Sequence, residues 1–132
     1  MRAGLAGRVQ LAPYVEDMPA AYMLADLAVA TGGTRRGYSR TLIEAQAMGR
    51  PVVAEEGGGA AEAVKPGITG WLSAPADPVA LAAAIDQALS LDDARRAEIA
   101  RAAQEHVRRH YALADSNARL IALCQRLMER GD

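Results

Sequence analysis

The stretch 38–54 reads Tyr38-Ser-Arg-Thr-Leu-Ile-Glu44-Ala-Gln-Ala-Met-Gly49-Arg-Pro-Val-Val-Ala54. After a polar start its apolar residues fall at helical spacing, and Gly49 can adopt the left-handed conformation that ends a helix. The β-branched segment 51–54 then predicts a short buried strand. A helix that begins here directs free backbone N–H groups and a partial positive charge at any bound anion, with Glu44 about one turn inside it. The stretch therefore predicts a loop, a helix, a turn and a strand that can hold a nucleotide.

Strands and helices alternate in the rest of the chain. Strands are predicted at 8–11, 27–30 and 70–73, and helices at 18–25, 79–89, 92–110 and 113–130. A further short helix is predicted after Gly59 and through Val64. Asp17 precedes a first turn that contains Pro19, and Asp77 stands directly before Pro78, which is typical of helix starts. This order predicts an α/β fold, a Rossmann-like doubly wound parallel sheet. Ligands bind beyond the carboxyl ends of such strands, so the loops 12–17, 31–41 and 55–62 are expected to converge there.

The composition excludes several classes of function. The 132 residues predict a single domain, 1–132, and 15 basic against 16 acidic residues provide no field that would attract nucleic acid or an anionic membrane. The only cysteine, Cys124, lies in an apolar stripe of the last helix and is predicted to be a buried structural thiol. No apolar run is long enough for a membrane span or a signal peptide, so we expect cytoplasmic residence.

Two histidines, His106 and His110, stand four residues apart on a predicted helix. That spacing can chelate a metal, but no carboxylate or cysteine completes the ligand set from an obvious position. We therefore predict that no metal is bound there.

Further motifs accompany the stretch 38–54. They are Val9-Gln-Leu-Ala-Pro-Tyr-Val15, the segment from Met18 to Ala30, Gly57-Gly-Gly-Ala-Ala-Glu62-Ala-Val64 and Gly67-Ile-Thr-Gly-Trp-Leu72. In this order and spacing they resemble the C-terminal donor-binding domain of retaining GT-B glycosyltransferases of the family 4-like group 1, which includes enzymes of bacterial envelope polysaccharide synthesis. The resemblance covers roughly residues 8–111, and 113–130 follows as a C-terminal helix.

The resemblance implies a function for particular residues. Glu44 would bind the nucleotide ribose, and Pro13, Tyr14 and Val15 would lie over the base. The donor diphosphate would be held by the backbone amides of Tyr38, Ser39, Arg40, Thr41 and Leu42. Gly58, Gly59 and Glu62 would border the donor sugar. The donor is then a nucleotide diphosphate sugar, with no obligatory metal cofactor, and no residue of this chain is assigned as catalytic.

The chain departs from the family pattern at two positions. Arg36 stands where the family has the first of two glutamates eight residues apart, which reverses the charge at that point. An arginine there can bind a phosphate or an acidic donor sugar, or it can mark loss of catalysis. Ser39 replaces a common glycine and is tolerable only if that position needs no positive φ.

Relative to the family, the chain has no room for the N-terminal acceptor domain or for the opening βαβ unit, which supplies an arginine and a lysine to the diphosphate. We therefore predict the nucleotide-sugar-binding part of a glycosyltransferase that requires an acceptor domain or a partner subunit, with peripheral attachment to the inner membrane left open for the full enzyme. The alternative is a degenerate, non-catalytic scaffolding or regulatory domain. An unrelated doubly wound domain such as a signalling receiver lacks support, because no acidic cluster follows a first strand.

A part of such an enzyme is expected to expose apolar surface. Val9, Val29 and the last helix are the predicted contributors, and we expect self-association through them.

Overall fold

The computed structural model describes residues 4–5, 7–32 and 39–129. In these residues helices and strands alternate as the sequence predicts. The elements are α1 Met18–Leu24, β1 Ala28–Ala30, α2 Arg40–Ala47, β2 Val52–Glu55, α3 Gly59–Ala63, β3 Trp71–Ser73, α4 Pro78–Leu89, α5 Asp93–Tyr111 and α6 Leu113–Glu129.

The strands form a parallel sheet in the order β1-β2-β3. Because side chains alternate along a strand, Val52 and Ala54 pack with α1, α2 and α3 in one apolar cluster, whereas Val53 packs with α4 in a second. Helices therefore cover both faces of the sheet, which confirms the doubly wound Rossmann-like fold. The long helix α5 packs against α2 and buries Ile99 and Ala103.

The turn from α2 into β2 follows the predicted pattern. Gly49 has φ +70°, which an L-residue adopts only with strain, and the amides of Gly49 and Arg50 donate to the last-turn carbonyls of α2 at 2.9 Å. Buried Gln46 donates to the carbonyls of Leu42 and Ala63, both at 3.0 Å, and so joins α2 to α3. The turn at Gly49 and Arg50 sets the direction in which α2 crosses the sheet.

The predicted strand at 8–11 is wrong. These residues have no partner in the sheet, and the exposed fractions of Val9 and Leu11 are 61% and 96%. A strand is stabilised by ladder hydrogen bonds and by burial of one face, and segment 8–11 has neither. The loop 12–17 therefore does not follow a strand, although it leads into α1.

The last helix also differs from expectation. α6 forms over nearly the predicted range, but none of its residues is buried, and Cys124 is exposed, not a buried thiol. The stripe was predicted correctly as apolar, but both apolar clusters are built from other elements. Within the described residues no helix, α6 included, is long and apolar enough to cross a membrane.

Self-association through α6 stays a prediction, and the structure sharpens it. Leu120, Ile121 and Leu127 are each more than half exposed on this helix. We expect the mass measured by sedimentation velocity to increase with protein concentration. The double variant Leu120→Gln, Leu127→Gln should shift the equilibrium toward monomer. Reductant must be present, because exposed Cys124 can form intermolecular disulfides. A wild-type protein that stays monomeric at high concentration would contradict the prediction.

Candidate functional site

The carboxyl ends of the strands meet at one edge of the sheet, where a carboxylate joins two loops. Glu55 ends β2, and its Oε2 accepts a hydrogen bond from the amide of Gly32, which follows β1. Its Oε1 accepts from the amide of Ala76, which follows β3, at 3.1 Å. Ala76 has φ +55°, a strained conformation for alanine that this bond helps to hold. Glu55 therefore fixes the segments that follow β1 and β3 relative to the end of β2.

The N-terminus of α2 lies after β1. Ser39 is its N-cap in an extended conformation, with φ −93° and ψ 98°, and the Ser39 side chain makes no capping hydrogen bond. A serine in place of glycine is therefore compatible with this backbone. The amides of Arg40, Thr41 and Leu42 belong to the turn that a bound anion would meet. Leu42 as a whole residue has no exposed surface, so its side chain belongs to the core and cannot meet a ligand.

Glu44 lies on the exposed side of α2, one turn from its start. Its Oε2 accepts a hydrogen bond from the Tyr22 hydroxyl of α1 at 3.1 Å. Both residues line a cavity of about 320 Å³ between the two helices. The remaining lining residues are Met18, Pro19, Ala47 and Met48. Glu44 thus has an exposed carboxylate that is hydrogen-bonded to the buried Tyr22.

The glycine loop joins β2 to α3. Gly57 and Gly58 have φ +143° and +49°, and Gly58 is the N-cap of α3. These conformations favour glycine whether or not a ligand is bound. Gly59 is buried, whereas the Glu62 side chain is exposed. The backbone conformation by itself therefore explains why glycine stands at positions 57 and 58. The exposed Glu62 side chain can face solvent.

The predicted base loop is also placed. Pro13 and Tyr14 are exposed and Val15 is half-buried, immediately before α1, whose first residue Met18 lines the cavity beside Glu44. Tyr14 is 89% exposed and does not line that cavity. Arg36 and Tyr38 lie outside the described residues.

Two residues of this edge, Tyr22 and Glu55, were missed by the sequence reasoning. A tyrosine on an otherwise apolar helix face signals a buried hydroxyl that needs a partner. A glutamate that ends the run Val52-Val53-Ala54 signals a carboxylate at the carboxyl end of a central strand. Neither signal identifies its partner, because the partners lie more than twenty residues away in the chain.

The predicted histidine pair lies elsewhere on the molecule. The ring centroids of His106 and His110 are 4.9 Å apart on α5. They line a shallow depression of about 230 Å³ that also includes Lys65 and Thr69. In the described part of the chain, no group of three or more histidine, cysteine or acidic residues is arranged to hold a metal ion.

His106 provides a pH prediction. Burial, followed by the nearby charges of His110 and Lys65, lowers the pKa of His106 below its usual 6.5, and backbone carbonyls at Glu62 and Ala63 act in the opposite direction. Because the unfolded state then binds a proton more readily than the folded state, this residue stabilises the fold above about pH 6.5 and loses that contribution as the pH falls.

We expect the urea midpoint of the wild type to decrease as the pH is lowered from about 7 to about 5. The midpoint of His106→Gln should decrease less steeply over the same range. An equal dependence of the urea midpoint on pH in the two proteins would contradict the lowered pKa of His106.

The fold and this sheet edge define the class of the molecule, a Rossmann-like α/β domain. A family model described as "Glycosyl transferases group 1" matches residues 1–91. The D-inositol 3-phosphate glycosyltransferase of Salinispora tropica is 41% identical over 107 residues, which cover 80% of this chain and 22% of that protein. The protein of the same name from Corynebacterium urealyticum is 37% identical, with coverage of 85% and 26%.

Solved structures are similar to this chain as well. Anabaena HepE in complex with UDP matches with a TM-score of 0.87 at 30% identity, covering 94% of this chain and 34% of that one, and a complex with UDP-glucose matches equally. A glycosyltransferase from Rickettsia africae matches with a TM-score of 0.89 at 27% identity, covering 95% and 33%.

The chain belongs to the group 1 family of glycosyl transferases, and its fold is that of the C-terminal Rossmann-like domain of a GT-B glycosyltransferase. It spans 22% and 26% of the length of the two curated relatives above.

Proposed function

We propose that the chain is the donor-binding part of a retaining glycosyltransferase that transfers a sugar from a nucleoside diphosphate. The observation that supports this most is α2, which begins at the carboxyl edge of the sheet. Its N-cap Ser39 makes no side-chain cap bond, and exposed Glu44 lies one turn inside the helix. The HepE complexes with UDP and UDP-glucose support a uridine diphosphate sugar as the donor.

Each part of the edge has a proposed role. The diphosphate binds the amides of residues 38–42, where the helix dipole favours negative charge. Glu44 accepts hydrogen bonds from ribose hydroxyls, and Gly58 and Gly59 allow the backbone to approach the sugar beside Glu62. The same N-terminus stabilises the negative charge that develops on the leaving diphosphate, so we propose no obligatory metal. Arg36 is proposed to add a cation for a phosphate or an acidic sugar.

The acceptor is proposed from the relatives. The family resemblance favours an envelope polysaccharide or glycolipid precursor in the cytoplasm, whereas the names of the curated relatives favour a small phosphorylated cyclitol. We propose the cyclitol class, because those relatives match over 80% and 85% of this chain. Recognition of the acceptor is proposed to involve an acceptor domain or a partner subunit.

Calorimetric titration with UDP, GDP and ADP tests the donor site. We expect saturable binding with UDP preferred, and at least about tenfold weaker binding by Glu44→Ala, because charge-assisted hydrogen bonds to the ribose are lost. Glu129→Ala is the matched control, since it removes an exposed glutamate from α6. If no nucleotide binds at millimolar concentration, the donor role is contradicted and a non-catalytic domain is favoured.

A further inference from the structure

Tyr22 is a buried aromatic residue with a polar end at the proposed site. The residue is 6% exposed and belongs to the apolar cluster under α2. A buried phenol hydroxyl requires a partner, because leaving it unpaired costs free energy. The partner is Oε2 of Glu44, at 3.1 Å and 22 residues further along the chain. The bond therefore joins the α1 core to the exposed carboxylate of α2.

The direction of this hydrogen bond is determined by the two groups. Burial raises the pKa of Tyr22, and the hydrogen bond to Glu44 and the charge of that carboxylate raise it further, whereas the Thr41 hydroxyl acts the other way. The phenol consequently stays protonated at neutral pH and donates to Glu44.

One hydrogen bond leaves most of the carboxylate available. An ionised carboxylate has about four lone-pair positions on its two oxygens, and the Tyr22 hydroxyl occupies one of them. The others can accept the vicinal hydroxyls of a ribose. A glutamate held in one rotamer before the ligand arrives also loses less conformational entropy on binding.

We propose that Tyr22 is a positioning residue for nucleotide recognition, whose hydroxyl holds the Glu44 carboxylate in the orientation that accepts the ribose hydroxyls. The inference rests on the proposed function. It extends the site to a residue of α1 whose side chain itself lies in the core.

The experiment compares UDP with 2′,3′-dideoxyuridine diphosphate, which lacks the hydroxyls that Glu44 would bind. The variant Tyr22→Phe keeps the ring and removes only the donor. We expect it to bind UDP about three- to tenfold more weakly and the dideoxy analogue with nearly unchanged affinity. In the Glu44→Ala background the same change should have no further effect. Tyr111→Phe is the matched control, since it removes a tyrosine hydroxyl on α5.

A second measurement leaves Tyr22 intact. In Glu44→Gln the negative charge is removed, so the pKa of Tyr22, followed by ¹³C NMR of its Cζ, should fall. An unchanged titration would overturn the proposed bond even if Tyr22→Phe failed to fold.

The outcomes separate the two proposals. Suppose that the wild type binds UDP. If Tyr22→Phe binds UDP equally well, or loses affinity for UDP and the dideoxy analogue to the same extent, the positioning role is overturned and the donor function stands. If the wild type binds none of the nucleotides, the donor function fails and the positioning role fails with it.

Discussion

Replacing Gly70 with alanine is expected to destabilise the fold by at least about 3 kcal/mol, because a new Cβ would overlap atoms that cannot move away. It would lie 2.5 Å from both Cγ2 and the carbonyl oxygen of Val52, and 3.2 Å from Cγ1 of Val64. Val52 is paired in the central strand and its side chain is fully buried, so relief would require breaking the ladder or the core. Urea unfolding followed by circular dichroism measures the loss.

The control for this variant lies in the same turn. Gly67 has φ +73°, but a Cβ there would meet nothing within 4 Å. Gly67→Ala should therefore cost about 1 kcal/mol, the strain of a left-handed alanine alone. If Gly70→Ala were no more destabilising than Gly67→Ala, the close approach of this turn to β2 would be contradicted.

Replacing Leu42 with alanine is expected to cost about 3 kcal/mol, because it leaves a cavity between α2 and the sheet. The side chain has no exposed surface and packs in the cluster that contains Val52 and Val64. The predicted role of Leu42 at the diphosphate concerns only its backbone amide, which alanine retains. The variant thus tests the core and leaves the amide in place.

Leu24→Ala is the comparison for Leu42, since Leu24 ends α1 and is 89% exposed. Its effect should stay within about 0.5 kcal/mol. Equal losses in the two variants would show that α2 does not pack on the sheet as described. Both midpoints come from the same urea titrations.

Local sequence signals predicted most of the elements around the site. The helix at 40–47, the left-handed Gly49 and the strand at 52–55 follow from apolar spacing, a helix-ending glycine and β-branched residues. The aspartates before α1 and α4 accept hydrogen bonds from first-turn amides at 3.0 Å, as expected of N-caps. These interactions join residues close in the chain, so the sequence contains both partners side by side.

The failures concern what an element packs against. Segment 8–11 has the residue types of a strand and α6 has the stripe of a buried helix, yet both are exposed. Residue type and spacing predict which face is apolar. They do not show whether another part of the structure covers that face, and Cys124 was predicted wrongly for this reason.

The sequence by itself determined the fold class, because helix caps, periodicity and turn glycines act over a few positions. Its ordered motifs carried the family resemblance, and with it the candidate residue Glu44. Only the tertiary structure decided that Tyr22 contacts Glu44 and that Glu55 joins the loops after β1 and β3. These contacts bridge 21 to 23 residues across separate elements, and they form only when the sheet and its helices have set the distances between them.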